Sequence, residues 1–349
     1  MDNHLHESVY LQKRQNIVPY FVYIIIGTAL LVIIFFISLM VGQYNMTLLQ
    51  AIKTLFGNAE SLTHTIIIFE LRLPRTMVAC LVGIALSISG LIYQIAFQNE
   101  LVSPDILGVS SGASVGVAAG LLFGLPLLLI SGLGFVFGAC AMLLTLCIAR
   151  VFKNKSPIML VIAGILVSGL MGSIVSLIKA WADTDTVLPA IVYWLLGSFA
   201  SIKMIHFWIL LPIVVSCIVF LFIISRKFLN NMVLGLENAK TRGINYKLWR
   251  AVVLFVGTIL TASAVSVAGT IGWVGLVIPY MTRLLVGHQT QKCIPMATIF
   301  GGAFMMFVDI FARTLTNSEI PVGAIAGIVG IAIFILILSV QRGQNYVFD

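Results

Sequence analysis

The side chains best suited to chemistry in this sequence are arginines that lie close to acidic residues. Arg72 and Arg75 flank a leucine–proline pair, and Arg313 follows Asp309 by four residues. If the last pair lies on a helix, this spacing brings carboxylate and guanidinium to one face, where they can form an ion pair. An arginine at a helix end can also contact lipid phosphates or bind a carboxylate of another protein. The sequence leaves local pairing, lipid contact and docking of an acidic partner open.

A second polar segment is bracketed by glycines. It carries acidic, basic and amide side chains and is long enough for one or two short helices. It could lie at an interface, contact a cytosolic subunit, or remain a solvated basic loop. Its residues are Gly235, Leu236, Glu237, Asn238, Ala239, Lys240, Thr241, Arg242 and Gly243.

Patterns for catalysis or nucleotide binding are missing from the sequence. There is no Gly-x-x-x-x-Gly-Lys-Ser/Thr pattern and no Gly-Lys dipeptide, so the chain has no phosphate-binding P-loop. The 5 cysteines show no paired spacing, and His206 and His288 stand alone. We therefore predict that the chain is not an enzyme and holds no metal ion, cofactor or disulfide of its own.

Composition decides which environment must position these residues. Of the 349 residues, 60% are hydrophobic and 9% are charged, whereas soluble domains carry roughly 25% charged residues. With a mean hydropathy of +1.11, most of the chain's surface must face lipid. This excludes a cytosolic enzyme, a secreted disulfide-rich protein, a disordered chain and a nucleic-acid-binding domain, despite the net charge of +8.

Ten apolar segments are candidates to cross a membrane as helices. A helix needs about 20 residues to span roughly 30 Å of hydrocarbon, and long continuous runs argue against a transmembrane β-barrel. The stretch 188–200 is too short to cross and is predicted to lie at the interface. The fold class is thus an all-α polytopic membrane protein, with 1–349 forming one transmembrane domain. The predicted spans are 18–42, 75–97, 106–124, 127–150, 157–181, 205–225, 250–268, 272–287, 295–315 and 322–341.

The distribution of basic residues predicts the orientation of these spans. With the N-terminus in the cytoplasm, fourteen of the 20 lysines and arginines fall on the inner side, as the positive-inside rule requires. Ten spans then return the C-terminus to the cytoplasm. The cytoplasmic segments are 1–17 and the loop 226–249. The six outer exceptions are Lys53, Arg72, Arg75, Lys179, Lys203 and Arg313.

Glycine spacing indicates close helix packing. Five glycines repeat every four residues and so fall on one helix face, where the missing side chains let another helix backbone approach. A smooth surface along a translocation path is the alternative role of such a stripe. The five are Gly108, Gly112, Gly116, Gly120 and Gly124, and Gly323 with Gly327 repeats the spacing.

Several sequence blocks resemble the FecCD/BtuC-type permeases, the membrane subunits of type II ABC importers. Leu71–Arg75 followed by Gln98–Ala113 resembles the RLPR…NPLA-P-LG-GA signature of that family. Trp194–Ser198 resembles its W-x-x-G-S/G segment. Gly269–Tyr280 resembles its AGxIGFVGLxxPH block, and Asp309–Gly323 resembles its D-x-x-A-R…E-x-P-x-G ending.

The resemblance extends from about residue 71 to residue 340, with three departures. Tyr280 stands where the family usually has histidine, and Gln98-Asn99-Glu100 replaces the common R-N-P. Ile331-Ala332 takes the place of an A-P pair. These departures concern the chemistry of the path rather than membership of the family.

The resemblance implies a BtuC-like fold of ten transmembrane helices, with two permease subunits around a central path. It implies a cytosolic ABC ATPase dimer, which binds ATP and Mg²⁺, and an extracytoplasmic substrate-binding protein. The second permease subunit is either an identical chain or a related one. The implied location is the bacterial inner (cytoplasmic) membrane, with both termini in the cytoplasm.

The matched positions also imply roles for single residues. Arg72, Arg75 and Arg313 match arginines that pair with acidic residues of the binding protein. The segment 235–243 matches the coupling helices that contact the ATPase. The fifth and tenth spans match helices that line the path, and their candidate path residues are Ser168, Gly172, Ser173, Ser176, Gly323 and Gly327.

We therefore predict the permease subunit of an ATP-driven importer that moves an iron–siderophore or related iron chelate into the cytoplasm by alternating access. Haem, cobalamin and oxyanions are alternative cargoes, because relatives carry all of them and selectivity lies largely in the binding protein. An ion-coupled secondary carrier and a membrane scaffold or sensor are alternatives of other classes. A secondary carrier would need acidic or histidine groups at mid-depth, which the sequence does not show.

Overall fold

The computed structural model describes residues 19–151, 157–233, 242–243, 245–316 and 318–345, and these residues form helices and no strands. Two of the helices contain a short π-helical segment. Leu62–Phe97 contains Ile67–Arg72, and Met204–Val233 contains Ser225–Leu229. In chain order the described helices are α1 Tyr20–Met40, α2 Leu48–Leu55, α3 Leu62–Phe97, α4 Val109–Leu122, α5 Leu127–Val151, α6 Pro157–Trp181, α7 Val187–Leu195, α8 Met204–Val233, α9 Tyr246–Ala268, α10 Val274–Val286, α11 Thr290–Thr314 and α12 Val322–Asn345.

Eight of the described helices are long and apolar enough to cross a membrane. They are α1, α3, α5, α6, α8, α9, α11 and α12, and two shorter apolar helices, α4 and α10, accompany them. The predicted all-α polytopic architecture is confirmed. Each predicted span overlaps one of these ten helices.

The predicted spans 106–124 and 272–287 are shorter helices than the sequence indicated. α4 has 14 residues and α10 has 13, so each is about 20 Å long and shorter than the hydrocarbon layer. The predicted start of the first is instead a 3-10 helix, Pro104–Leu107, and that of the second is an irregular segment that ends at Trp273. The 3-10 helix contacts the first turn of α10, where a Cβ on Gly275 would lie 2.7 Å from Pro104 Cδ. Such irregular backbone is tolerated at membrane depth only where protein surrounds it.

The stretch 188–200 forms a short helix packed on the bundle. In α7, Ile191 is 1% exposed and belongs to an apolar cluster with Val115 of α4 and Val175 of α6. The position of α7 at a membrane surface stays a prediction.

The chain between α1 and the predicted second span contains helical structure that hydropathy alone did not predict. α2 begins at a reciprocal cap, in which Thr47 Oγ1 accepts from the Gln50 backbone N–H at 3.3 Å and Gln50 Oε1 accepts from the Thr47 N–H at 3.0 Å. α3 begins at Leu62, well before the predicted start at 75. The charged Glu70 and Arg72 lowered the hydropathy of this first part and concealed the helix.

α3 is the central helix of the bundle. Of the most apolar stretch of 18 residues in this helix, 89% are buried. Its backbone meets two neighbours directly, because a Cβ on Gly83 would lie 2.1 Å from the Gly301 carbonyl oxygen of α11, and one on Gly90 would lie 1.9 Å from that of Gly275 in α10. Ser87 also donates to the Ala297 carbonyl of α11 at 2.9 Å. α3 and α11 therefore pack backbone to backbone.

The glycine stripe divides into packing residues and turn residues. A Cβ on Gly112 would lie 2.4 Å from Ala141 Cβ, and one on Gly116 would lie 2.4 Å from the Leu133 carbonyl oxygen, so α4 packs on α5 there. Gly120 makes a similar contact with α5. Gly108 and Gly124 instead lie outside α4 at φ +80° and +62°, although Gly108 also packs on α6, where its Cβ would lie 3.1 Å from Val167 Cγ1. The packing assignment is wrong for Gly124, since no described atom lies within 4 Å of its Cβ position.

Candidate functional site

Arg75 is held by two carboxylates in the N-terminal half of α3. Its Nε lies 2.8 Å from Asp309 Oδ1, and its Nη1 lies 2.6 Å from Glu319 Oε1. The Asp309 side chain is fully buried, whereas that of Glu319 is 29% exposed. Arg75 thus connects α3 to α11 and to the segment that precedes α12.

Arg313 connects the same region to α1. Its Nη2 donates to the carbonyl oxygen of Ser38 and, at 2.6 Å, to the hydroxyl of Ser38. Its Nε lies 3.6 Å from Asp309 Oδ2, so the pairing across four residues that the spacing predicted is present. The Ser38 hydroxyl is also 2.7 Å from that of Thr76 in α3.

Arg72 binds the carbonyl groups that end α1. Its Nη1 donates to the Leu39 and Met40 carbonyl oxygens, each at 2.7 Å, and its Nη2 donates to that of Tyr44. The last carbonyls of a helix have no partner within the helix and carry partial negative charge, which a guanidinium satisfies. Arg72 is the last residue of the π-helical segment of α3.

We call Arg72, Arg75 and Arg313 with Asp309 and Glu319 the outer arginine cluster, after the side of the membrane on which the basic residues of the sequence predict it. The three arginines are 5%, 9% and 6% exposed and bind groups of their own chain. This geometry gives them a structural function. In docking, they would lie beneath the contact surface rather than on it. With three guanidiniums and two carboxylates the cluster keeps an excess of positive charge, and docking of an acidic partner stays a prediction.

The segment predicted to contact the ATPase lies largely outside the described residues. This applies to Gly235, Leu236, Glu237, Asn238, Ala239, Lys240 and Thr241. Arg242 and Gly243 form a turn in which Gly243 has φ +69°. Arg242 Nη1 donates to Asn231 Oδ1 at 2.7 Å and so connects this turn to the end of α8.

A second charged group, which sequence reasoning missed, lies at the predicted inner end of α10. Arg283 Nη2 donates to Gln94 Oε1, and Arg283 Nε lies 3.1 Å from Glu100 Oε1. His288 Nδ1 is 3.5 Å from the same Glu100 oxygen. These groups line a cavity of about 160 Å³. The sequence signal for this group was the presence of two polar residues, Gln94 and Arg283, inside predicted apolar spans.

The candidate path residues on α6 lie on an exposed face. Ser173 and Ser176 are exposed, and their hydroxyls donate to the Gly169 and Gly172 carbonyls at 3.0 Å. Because these hydroxyls already donate to carbonyls of their own helix, they offer few hydrogen-bonding sites to a cargo. Ser168 differs, because its Oγ is buried and has no hydrogen-bond partner among the described residues.

The candidate path glycines on α12 have separate surroundings. A Cβ on Gly323 would lie 2.5 Å from the Leu196 carbonyl oxygen, so this residue packs against the loop after α7. Gly327 and Gly330 face Trp273, whose Cβ would lie 2.9 Å from a Cβ on Gly330. Trp273 is 37% exposed and has φ +70°, a backbone conformation strained for any residue with a Cβ. Its indole therefore covers part of the glycine face of α12.

Comparisons with known proteins agree with this architecture. The model of the FecCD transport family matches residues 30–340. Over 324 residues, covering 90% of this chain and 95% of its relative, the chain is 35% identical to the molybdate import system permease protein MolB of Haemophilus influenzae. It is also 35% identical to the Probable iron chelatin transport system permease protein of Helicobacter pylori, covering 88% of this chain and 92% of that protein.

A solved structure extends the likeness to three dimensions. It is described as an inward-facing conformation of a metal-chelate type ABC transporter, and its chain is 33% identical to this one. The match covers 92% of this chain and 99% of the other, with a TM-score of 0.81.

Proposed function

Because this chain belongs to the FecCD transport family of ABC importer permeases, we propose that it carries an iron–siderophore or related iron chelate from an outer binding protein into the cytoplasm. Permeases of this family have no catalytic activity of their own, and the energy comes from a partner ATPase. Membership favours this function over an ion-coupled carrier or a membrane scaffold.

The observation that supports a large, non-covalently handled cargo is the exposed face of α6. Among the described residues this face offers open glycines and hydroxyls that already bond to their own helix. Such a surface, together with the glycine face of α12, lets a bulky complex pass without strong binding. ATP binding by the partner would then alternate the side of the membrane to which the path opens.

The iron-chelate assignment is supported by relatives of similar identity. The Helicobacter pylori relative is named for iron chelatin, and the solved structure for a metal chelate. The Haemophilus influenzae relative is named for molybdate, which makes an oxyanion the second candidate cargo. Haem and cobalamin are further alternatives.

Uptake by the complete transporter tests the cargo. The chain, its partner ATPase and the cognate binding protein are placed in proteoliposomes and offered ferric hydroxamate, ferric catecholate, ferric citrate, haem, cobalamin and molybdate. We expect ATP-dependent accumulation of one ferric chelate. Accumulation of molybdate alone would contradict the iron assignment, and uptake without ATPase would contradict the importer itself.

We also propose an orientation with both termini in the cytoplasm, based on the basic residues. It places the outer arginine cluster toward the binding protein and the end of α8 toward the ATPase. A reagent that modifies cysteine and does not cross membranes should label a cysteine introduced at Glu60 in intact cells. Labelling only after the membrane is opened would reverse the orientation.

A further inference from the structure

The N-terminus of α11 is capped by a side chain from another helix. Its own N-cap residue, Gln289, makes no side-chain hydrogen bond to the helix. Instead Asn230 Oδ1, in the last turn of α8, accepts from the Thr290 backbone N–H at 2.8 Å, and the Thr290 hydroxyl also reaches it. Because the first N–H groups of a helix have no partner within it, this contact fixes the start of α11 to the end of α8.

The same turn of α8 also holds the end of α3. Gln98, which follows α3 at φ +50°, donates from Nε2 to the Met232 carbonyl oxygen at 3.2 Å. Met232 is fully buried. We call Asn230, Met232, Thr290 and Gln98 the inner joint. It brings the ends of three helices together through contacts between residues far apart in the chain.

α3 and α11 form one unit from this joint to the opposite face. Their backbones touch at Gly83 and Gly301, and the Ser87 hydroxyl bonds to the Ala297 carbonyl at 2.9 Å. At the far end, Arg75 of α3 binds Asp309 of α11 at 2.8 Å inside the outer arginine cluster. The two helices are in backbone contact, bind the same turn of α8 at one end and pair directly at the other, so they should shift together.

We propose that Asn230 is a positioning residue that links an ATPase at the cytoplasmic face to the α3–α11 pair, and through this pair to the outer arginine cluster. The inference rests on the proposed function as an ABC importer permease. The next residue, Asn231, accepts a hydrogen bond from Arg242 in the described turn before α9. The last turn of α8 is therefore bonded both to this turn and to the start of α11. This contact transmits conformational changes in both directions, those driven by ATP and those driven by a docked binding protein.

The test measures how far the cognate binding protein stimulates ATP hydrolysis by the complete transporter in proteoliposomes. Asn230→Ala should lower the ratio of stimulated to basal hydrolysis about threefold or more, in the range of measured coupling effects. Asn230→Asp keeps the acceptor oxygen and adds favourable negative charge at the start of α11, so it should retain the wild-type ratio.

Asn245→Ala is the matched control. Asn245 caps α9, accepting from the Leu248 N–H at 3.2 Å, and its side chain makes no hydrogen bond to α11 among the described residues. It should lower the melting temperature and leave the ratio unchanged. If Asn230→Ala does not fold, Gln98→Asn removes the second contact, because asparagine tolerates positive φ and its amide is too short to reach Met232.

The outcomes separate the two levels of the proposal. An unchanged ratio in Asn230→Ala, or in Gln98→Asn where the alanine variant does not fold, overturns the linkage. A loss of stimulation in Asn230→Asp or Asn245→Ala equal to that in Asn230→Ala overturns it as well. A wild-type transporter that shows no stimulated hydrolysis would contradict the proposed function instead.

Discussion

Asp309 is the carboxylate on which the outer arginines depend. It is fully buried and lies 2.8 Å from Arg75 Nε and 3.6 Å from Arg313 Nε. Without the Asp309 charge, buried Arg313 loses its carboxylate and Arg75 keeps only Glu319. We expect Asp309→Asn to lower the free energy of unfolding by about 3 kcal/mol, measured as loss of helical circular dichroism on heating in detergent.

Glu60→Gln is the control for this variant. Glu60 pairs with Lys53 at 3.2 Å, but both side chains are nearly half exposed. The hydrogen bond from Gln50, and then the bond from Lys53, lower the pKa of the Glu60 carboxyl. Water screens such a pair, so the melting temperature should hardly change. Equal destabilisation by both variants would show that the outer arginine cluster is not a buried charge network.

Trp273 gives a second prediction, because two neighbouring glycines meet it differently. A Cβ at Gly330 would lie 2.9 Å from Trp273 Cβ, whereas one at Gly327 would lie 3.7 Å from the indole. Gly330→Ala should therefore lower the melting temperature and Gly327→Ala should not. Overpacking typically costs about 1–3 kcal/mol.

A double variant checks the cause. Trp273→Gly removes the Cβ that Gly330→Ala would meet and relieves the strained φ of +70°. In that background Gly330→Ala should have little further effect. If the penalty of Gly330→Ala is the same with and without Trp273, the contact is not its source.

At the scale of helices, the close approach of α3 to its neighbours decides the bundle. A Cβ on Gly90 would lie 1.9 Å from the Gly275 carbonyl oxygen, a backbone atom that cannot rotate away. Gly90→Ala should therefore force α3 and α10 apart and lower the yield of folded protein in size-exclusion chromatography, with a cost of about 3 kcal/mol or less.

Gly132→Ala in α5 is the comparison. No described atom lies within 4 Å of its Cβ position. Alanine in a helix is favoured over glycine by roughly 0.5–1 kcal/mol, so this variant should be neutral or slightly more stable. Similar behaviour of both variants would contradict the packing of α3 on α10.

Elements also show where hydropathy fails as a guide. The first turns of α3 escaped prediction because Glu70 and Arg72 interrupt the apolar run. α4 and α10 were predicted too long because the segments before them, which are not α-helical, are apolar as well. Both errors have one reason: hydropathy reports which residues avoid water, not whether their backbone is helical.

For the whole molecule, the outer surface must attract a binding protein if the importer works as proposed. Glu319 is 29% exposed and lies 2.6 Å from Arg75 Nη1, while Asp309 holds the other side of that arginine. Glu319→Gln removes a negative charge from this face without leaving Arg75 unpaired. We expect binding of the cognate binding protein to tighten roughly two- to fivefold, since one exposed charge contributes up to about 1 kcal/mol.

The measurement is a titration of the binding protein at low and high salt, with Glu60→Gln as the control away from the cluster. The gain for Glu319→Gln should shrink at high salt, because ions screen exposed charges. An affinity that does not respond to Glu319→Gln would contradict docking over the outer arginine cluster and leave its arginines a purely structural function.

The class of this protein could be predicted from its sequence alone. Long apolar runs must lie in lipid as helices, because a backbone in hydrocarbon must satisfy its own hydrogen bonds. The scarce charged residues and ordered blocks such as Leu71–Arg75 then indicated the family. These are local properties, and they can be read along the chain without knowing which helices meet.

The partners of the buried polar residues, in contrast, depend on how the helices pack. Spacing predicted that Asp309 could pair with Arg313, but not that Arg75, 234 positions away, would share the same carboxylate. Likewise, nothing near Thr290 indicates that Asn230 caps its helix. Such partners are chosen when packed helices exclude water and each buried polar group must find another, so the pairing depends on the assembled bundle rather than on sequence spacing.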